Sequence, residues 1–385
     1  MQRYGKNILI FFSVTLSMTR CKDPYVSPYV APATGYLVVE GYLAGNDITR
    51  VTLSHTVPLP GTGNLLPEKN AQVQVEGDDN SSWKLTPHDD GAYTIDFLPL
   101  HTGVNYRLRI HTANGNDYLS DFIPFKVTPP IDSISWAPVG DNLEIYANTH
   151  DGANNTRYYQ WEYEETWQYF SWESSLWIFE VPPTAMRRRN AEEQINVCWN
   201  NRISTKILLG NTTRLSQDIV YQQLLNKLDG SSVELSYKYS ILVRQYALTK
   251  QAYEYLSLML KNSESLGSIF DAQPVQLIGN IHGLTHPEEK VIGFLSAGTV
   301  NDQRIYIDHA QLPNEWRYYN NCPLPDYVVP LDSLVFYFAP GRGYTPIIEH
   351  RNPVGVIDGW IGNYTSCIDC RTLGGVTTKP LFWPN

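Results

Sequence analysis

Tyr106-Arg107-Leu108-Arg109-Ile110 and Tyr118-Leu119-Ser120, two short runs separated by a turn, decide the fold class of this chain. Apolar and polar residues alternate in both runs, as they do in strands with one buried face. The connecting Asn114-Gly115-Asn116-Asp117 contains an Asn-Gly pair, which favours a tight hairpin turn because both residues tolerate positive φ. We therefore predict an antiparallel β-hairpin over residues 106–120.

The same kind of pattern extends over residues 36–128. Val73-Gln74-Val75 alternates, and Trp83-Lys84-Leu85 is separated from Tyr93-Thr94-Ile95 by the turn Asp89-Asp90-Gly91. About seven short strands with regularly spaced turn residues are typical of an immunoglobulin-like β-sandwich. Pro129-Pro130 ends this pattern, so the domain boundary is placed there.

The remaining residues, 131–385, predict a second β-rich domain. With 26 Tyr, 10 Trp, 26 Gly and 25 Pro, the chain is rich in strand and turn formers. Thr249 is a suitable N-cap for a helix near residues 250–265, and Gly267 is a suitable end. The tail is expected to be loop-rich and to contain cysteines. The predicted fold class is mainly β: an N-terminal immunoglobulin-like β-sandwich followed by a second β-rich domain with one substantial α-helix.

The N-terminus has the pattern of an export signal. Arg3 and Lys6 precede an apolar run over residues 8–16, which is too short to cross a bilayer, and Cys21 follows. We interpret residues 1–20 as a signal peptide, Cys21 as a lipidation site and residues 21–35 as a lipidated flexible tether. Arg20 is unusual directly before a lipidated cysteine, so an ordinary secreted protein is the alternative.

The charge balance limits the classes of partner. Residues 1–20 hold three of the 29 basic residues and no acidic residue, so the rest carries 26 basic and 39 acidic residues, a net charge of −13. Nucleic acid is therefore not an expected partner, because binding phosphates needs a basic surface. Contact with a membrane is expected through the N-terminal lipid and not through broad electrostatic adhesion.

Four cysteines follow Cys21, and in an exported chain they predict two disulfides. They are Cys198, Cys322, Cys367 and Cys370. Three pairings are possible, and the preferred one joins Cys198 to Cys322 and Cys367 to Cys370. A redox or zinc site at 367 and 370 is the alternative, although the second close cysteine pair of a zinc ribbon is missing.

Aromatic residues are dense between residues 158 and 179, and two interpretations remain open. The candidate ligand-binding aromatics are Trp161, Trp167, Trp172 and Trp177. Exposed rings would stack on sugar faces, whereas buried rings would form the core of long strands. The alternation of Tyr159, Trp161 and Tyr163 places these three on a single face, which favours a packed face.

Two further groups of polar residues have spacings that could suit a site. His282 and His286 have metal-ligand spacing, but Gly283 and Pro287 disfavour the helix that such a site needs. Glu162, Glu164 and Glu165 could pair for glycoside hydrolysis, or could be solvated charges on a strand. No catalytic residue, metal or cofactor is therefore predicted.

Three consecutive arginines form the candidate partner contact. Arg187, Arg188 and Arg189 follow two prolines in a polar stretch. Guanidinium groups on a loop would suit an acidic partner surface, and the alternative is a solvated loop without a role.

Several stretches resemble a known family. They are Tyr239 to Thr249 with Ala252-Tyr253, Gly267 to Pro274, Gly279-Asn280-Ile281, Cys367 to Arg371 with Gly374-Gly375, Pro380 to Trp383, and Tyr36 to Tyr42 as a first strand. They are similar to domain-of-unknown-function family 4249 of Bacteroidota. The resemblance implies an exported lipoprotein, often encoded beside TonB-dependent outer-membrane receptors, and brings no catalytic residues.

These observations lead to three functional hypotheses. The first is a non-enzymatic outer-membrane lipoprotein that is an accessory or binding partner of a TonB-dependent transporter in nutrient uptake. The second is a stand-alone cell-surface protein that binds a glycan or peptide, and the third is a hydrolase. The sequence leaves open whether the body faces the periplasm or the cell surface.

Overall fold

The computed structural model describes residues 35–57, 65–264, 277–325 and 327–384. The signal peptide, Cys21, all but the last residue of the tether, and the family-like stretch from Gly267 to Pro274 lie outside the described residues. Among the described residues, no helix is both long and apolar enough to cross a membrane.

The strands and helices follow in chain order. The first part contains β1 (Leu37–Ala44), β2 (Thr49–His55), β3 (Leu66–Pro67), β4 (Gln72–Gly77), β5 (Ser82–Lys84), β6 (Thr86–Pro87), β7 (Ala92–Ile95), β8 (Asn105–His111), β9 (Asp117–Ser120) and β10 (Ile123–Lys126). The central part contains β11 (Ile131–Val139), β12 (Asn142–Asp151), β13 (Tyr158–Phe170), β14 (Trp177–Glu180), β15 (Ala185–Arg188), β16 (Val197–Ile203), β17 (Leu208–Asn211), β18 (Asp218–Asp229), β19 (Lys238–Ala247) and α1 (Lys250–Glu264).

The last part returns to strands. It contains β20 (Ile281–Gly283), β21 (Val291–Ile292), β22 (Ser296–Gly298), β23 (Val300–Asp308), β24 (Val328–Pro330), α2 (Leu334–Phe338), β25 (Tyr344–Arg351), β26 (Ile357–Tyr364) and α3 (Thr365–Ile368). Short 3-10 helices span Ala191–Glu193, Val233–Leu235, His309–Gln311, Leu331–Ser333 and Cys370–Leu373.

The fold is mainly β, as predicted, and the hairpin over residues 106–120 is confirmed. Strands β8 and β9 pair antiparallel, with Arg109 opposite Leu119 and His111 opposite Asp117. Leu108, Ile110 and Tyr118 point into the core of the first module and are almost fully buried. The alternation in the sequence therefore arises from one buried face.

The first module includes strands from a distant part of the chain. Residues 281–298 were assigned with the second domain, but β22 pairs in parallel with both β1 and β10, and β20 pairs with β9. The connected strand order is β20-β9-β8-β10-β22-β1-β2-β7-β6. A division at Pro129-Pro130 therefore leaves three strands of the first sheet on the far side of the boundary.

The second module packs two sheets face to face. Strands β11, β12 and β18 form one sheet, and β16, β13, β19 and β23 form the other, with β17 attached to β13. Tyr159, Trp161 and Tyr163 lie on the inner face of β13 and are buried in the shared core. The packed-face interpretation of their alternation is correct.

A smaller, aromatic-rich C-terminal unit completes the chain. Strands β24, β26 and β25 form a sheet that packs with the hairpin β14–β15 and with α2 around Trp360 and Phe338. The tail was expected to be loop-rich, yet β25 and β26 are eight-residue strands. Pro346, which lies within β25, obscured that strand in the sequence because proline normally interrupts a strand.

Candidate functional site

The family-like block that ends β19 forms the junction between the two modules. Gln245 is fully buried, and its side-chain oxygen accepts a hydrogen bond from Nε1 of Trp161 at 2.8 Å. Its amide nitrogen donates to the backbone oxygen of Pro129 at 2.9 Å and to Oγ1 of Thr149 at 3.0 Å. One glutamine therefore ties the linker at Pro129 to both sheets of the second module.

Thr128 continues this junction on the other side of the linker. Its backbone nitrogen donates to Oγ1 of Thr299 at 2.8 Å, and its Oγ1 accepts from the backbone of Ala247 at 3.0 Å. Asn46 adds a reciprocal pair with the backbone of Val300, at 2.9 and 2.8 Å. Because these polar groups find their partners across the junction, the modules are held in one fixed arrangement.

The Gly279-Asn280 pair, also part of the family-like sequence, anchors the strands that join the first module. The side chain of Asn280 bonds both backbone groups of Leu295, donating at 3.0 Å and accepting at 2.8 Å. A Cβ on Gly279 would lie 1.8 Å from the carbonyl oxygen of Gly293. A Cβ on Gly293, which has φ +144°, would lie 2.0 Å from that of Val39. Glycine is required at both positions because the backbone of a neighbouring segment occupies the space that a Cβ atom would need.

A cleft of about 610 Å³ opens at this junction, and we call it the junction cleft. Strand β1, the ends of β13 and β19, helix α1 and the loop at 204–207 enclose it. Its walls combine apolar groups with a few charges, which is the usual composition of a ligand site. The residues that carry the argument are Tyr42, Glu162, Lys206, Arg244, Tyr246 and Met259.

The floor of the junction cleft presents neighbouring opposite charges. Glu162 and Arg244 face each other across β13 and β19, and both are exposed. Tyr246 donates its hydroxyl proton to Oε2 of Glu162 at 3.0 Å. No described residue forms an ion pair with Arg244, so its guanidinium is free for a ligand.

Tyrosine hydroxyls in this cleft remain protonated donors. Burial, followed by the charge of Glu162, raises the pKa of Tyr246 far above its usual range. Burial also raises the pKa of Tyr42, whose ring lies edge-on to that of Tyr246 with centroids 4.9 Å apart. Both protons are donated within the protein, from Tyr246 to Glu162 and from Tyr42 to the backbone oxygen of Thr299 at 3.4 Å, so Glu162 and Arg244 are the groups left to hold a charged ligand.

The four candidate tryptophans have different environments. Trp161 and Trp167 are buried in the core of the second module and are not available to a ligand. The ring of Trp177 packs against Trp360, with centroids 4.5 Å apart. Trp172 is 52% exposed and lines a separate cleft. The alternation that favoured a packed face for Trp161 extends to Trp167, because both have odd residue numbers within β13.

The three arginines do not form an exposed loop. Arg187 lies in β15 and pairs with Glu180 at 2.5 Å and with Glu193 at 2.6 Å. Arg189 donates to Oγ of Ser175 at 3.0 Å, and the guanidinium of Arg188 lies over the ring of Trp177. These contacts stabilise the hairpin, so the expectation of an exposed loop is wrong, and a contact of this stretch with a partner stays a prediction.

All four cysteines form disulfides, but the preferred pairing is wrong. Cys198 is bonded to Cys370, and Cys322 is bonded to Cys367. Cys367 lies in α3 and Cys370 begins the next 3-10 helix, so the two cysteines face different parts of the molecule. The closeness of Cys367 and Cys370 in the sequence therefore does not indicate a bond between them.

The remaining candidate groups have structural partners. Glu165 is 1% exposed and accepts hydrogen bonds at 2.8 Å from Arg202, Asn226 and Tyr239. Nε2 of His282 lies 3.2 Å from Asp121, and His286 lies 3.6 Å from Glu288. Within the described ranges, no three His, Cys, Asp or Glu residues are placed to hold a metal ion.

Sequence reasoning missed Arg244 and Gln245 as members of a site. Both lie in the stretch from Tyr239 to Thr249 that carried the family resemblance, which was the available signal. Their neighbours across the junction come from three distant segments, and a single sequence does not reveal those contacts.

A family model described as "Domain of unknown function (DUF4249)" matches residues 23–304. No curated protein matches the chain. Among solved structures, a two-fibronectin-type-III-domain segment from chicken tenascin is similar, at 9% identity, with 55% of this chain and 90% of that chain covered and a TM-score of 0.16. The junction residues lie inside the range of the family model, whereas the end of β23 and the strands β24, β25 and β26 lie outside it.

Proposed function

The chain belongs to the family described as Domain of unknown function (DUF4249), and from that premise we propose that it is a non-enzymatic, lipid-anchored accessory of a TonB-dependent transporter. Cys21, after a basic and apolar N-terminus, supports the lipid anchor. The observation that carries a binding role is the junction cleft, where Glu162 and Arg244 lie opposite each other on neighbouring strands and expose opposite charges without an ion pair between them.

The cleft suits a segment of a partner protein that carries both signs of charge. Arg244 would take a carboxylate, and Glu162 with the hydroxyl of Tyr246 would take a cation or a hydrogen-bond donor. Apolar groups such as Met259 would pack against the aliphatic parts of the side chains of the bound segment. Because the junction network fixes the walls, little ordering would be needed on binding.

Attachment to the same membrane would help this interaction. A lipid on Cys21 would confine the protein to the same membrane as the transporter. This confinement raises the effective concentration of each protein for the other. A modest interface at the cleft would then give substantial occupancy. This proposal places the contact at the junction and not at Arg187 to Arg189.

The test is native co-purification from the source membranes with the anchor intact. Arg244→Glu would place a second carboxylate beside Glu162, and we expect at least a tenfold loss of a co-purifying TonB-dependent receptor. Lys69→Glu, which reverses the charge of an exposed lysine outside the cleft, is the matched control and should retain the receptor. Failure of the unmodified protein to recover such a receptor would end the accessory proposal.

A second experiment tests the anchor separately. Cys21→Ser should move the protein from the membrane fraction to the soluble fraction and abolish labelling by an acyl-chain probe. Retention of the Ser variant in membranes would show that lipidation is not the attachment.

A stand-alone glycan- or peptide-binding protein is the second candidate. The exposure of Trp172 beside a cleft favours it. The two candidates differ in the site used, so the Arg244→Glu and Trp172 variants separate them.

A further inference from the structure

A second cleft, of about 440 Å³, lies at the far end of the second module, and we call it the Trp172 cleft. It is formed where the chain leaves β13 and where the segment after β23 crosses beside it. Its principal groups are Phe170, Trp172, His309, Arg317, Tyr318 and Asn320. It is separate from the junction cleft, with which it shares no lining residue.

The Trp172 cleft offers accessible aromatic faces. Trp172 and Phe170 are 52% and 40% exposed, so both rings can be reached by a ligand. Phe170 is held in place by Tyr237, edge-on with centroids 4.7 Å apart. Exposed rings in a concave site mark a ligand surface more strongly than scattered ones do.

The charge of this cleft differs from that of the whole protein. The chain has a net charge of −10, yet the described residues that line the Trp172 cleft include Arg317 and His309 and no carboxylate. Arg317 is exposed, and the only hydrogen bond it makes within the described part of the chain is from Nε to the backbone oxygen of Asn314, at 3.4 Å. Its two terminal nitrogens are therefore available to a bidentate anion.

Both walls of the cleft are fixed to the same cysteine. The backbone nitrogen of Glu173, next to Trp172, donates to the oxygen of Cys367 at 3.1 Å. The opposite wall is attached through the disulfide between Cys322 and Cys367. Because the two walls converge on Cys367, their separation is set before a ligand arrives.

The Arg317 wall is also anchored at its other end. Trp316 is 6% exposed and packs over Gly230, where a Cβ would lie 2.3 Å from the indole ring. The segment 317–320 therefore runs between a buried tryptophan and a disulfide. A positioned guanidinium, an amide from Asn320 and stacking rings are thus held together in a concave site.

From this combination we propose that the Trp172 cleft binds an acidic saccharide, with a uronic acid ring stacked on Trp172 and its carboxylate paired with Arg317. The C–H face of a pyranose stacks on an aromatic ring, and the hydroxyl groups at its edge suit Asn320 and Tyr318. A neutral sugar would leave the guanidinium without a partner. A phosphate would satisfy Arg317 but would make no use of the aromatic faces.

The test is calorimetric titration of the full mature protein in detergent with trigalacturonate, a neutral galactose trisaccharide and inorganic phosphate. We expect trigalacturonate to bind at least tenfold more tightly than the neutral sugar and than phosphate. Trp172→Ala should remove binding of both sugars, because the stacking face is lost. Arg317→Gln should reduce the affinity for trigalacturonate to that for the neutral sugar.

The controls distinguish the loss of a ligand contact from misfolding of a variant. Tyr221→Ala removes a 76% exposed ring on β18, outside the cleft, and should bind as the unmodified protein does. All variants should have the same unfolding temperature as the unmodified protein. Absence of trigalacturonate binding at about 10 mM, where even millimolar sites are filled, would overturn the proposal. Equal binding of a glutamate-rich peptide would also overturn it, in favour of an acidic protein segment.

Discussion

Cys198 and Cys370 are bonded to each other across 172 residues, and this bond joins the edge strand β16 to the C-terminal tail. Both are almost fully buried. The backbone groups of Trp199 and Val376 exchange two hydrogen bonds of 2.8 Å beside the bond. The hydroxyl of Tyr169 adds a bond of 2.8 Å to the oxygen of Cys370. The tail is thus part of the second module and closes an edge of its larger sheet.

Removing this disulfide should destabilise the protein more than removing the other. In the chain-entropy view, a bond closing 172 residues contributes about 5 kcal/mol, and the one closing 45 residues contributes about 4 kcal/mol. We expect Cys198→Ala with Cys370→Ala to unfold at lower urea than Cys322→Ala with Cys367→Ala. Mass spectrometry without reduction should find the peptides of 198 and 370 linked. The reverse order of stability would contradict this ranking.

Local patterns predicted the elements whose structure is set by near neighbours. The hairpin around Asn114-Gly115 was predictable because alternation and turn chemistry agree. Helix α1 was predictable because Thr249 caps it, with Oγ1 accepting from the backbone of Ala252 at 3.1 Å. The burial of Tyr159, Trp161 and Tyr163 followed from period two alone.

Features that depend on distant segments were not predictable. Strand β22 has three residues, and only its parallel pairing with β1 and β10 makes it a strand. The disulfide pairing depends on the 3-10 helix Cys370–Leu373 lying against β16, which brings Cys370 to Cys198. Arg187 looked like a free cation because Glu180 and Glu193 reach it only after the hairpin β14–β15 forms. The candidate binding clefts also depend on distant segments. In the cleft beside Trp172, for example, Arg317 lies 145 residues further along the chain.

The pairing of Arg187 with Glu193 predicts that the stability of the folded state depends on pH in the acidic range. Hydrogen bonding from Arg187, followed by the backbone of Asn190, lowers the pKa of Glu193 to about 2. A carboxylate with a lowered native pKa stabilises the folded state fully above its usual pKa near 4.5, and loses that contribution as the pH falls towards 2. NMR titration of the Glu193 carboxyl carbon should show the low midpoint.

Arg187→Gln is the matched variant for this titration. It should return the midpoint of Glu193 towards the usual range, because the bidentate contact is lost. An unmodified protein in which Glu193 already titrates near 4.5 would show that the pair does not form in solution.

Gln245 should be one of the least replaceable polar residues of the protein. Gln245→Leu keeps a similar volume but leaves Nε1 of Trp161 and the oxygen of Pro129 buried without the partners they have now. Each of these two groups costs about 1–3 kcal/mol, so we expect the free energy of unfolding in urea to fall by about 2–6 kcal/mol. Gln72→Leu, on the exposed face of β4, should change stability by no more than about 0.5 kcal/mol. Equal effects of the two substitutions would contradict the role of Gln245 at the junction.

Gly279 offers a test of how the strands at 281–298 are attached to the first module. Gly279→Ala would bring Cβ to 1.8 Å from the oxygen of Gly293, a contact that the backbone on both sides must move to relieve. We expect the hydrogen bonds between Asn280 and Leu295 to be strained and the midpoint of urea unfolding to fall by an amount equivalent to about 2 kcal/mol or more.

Gly152→Ala is the control, because a Cβ there meets nothing within 4 Å and the backbone is not in the positive-φ region. It should leave stability unchanged or slightly raised, since alanine has fewer unfolded conformations to lose. Hydrogen exchange should then separate the cause: in Gly279→Ala, the amides of β20 and β22 should lose protection before those of β12 and β13. Uniform loss of protection over both modules would instead mean that the junction unfolds as one unit with the second module.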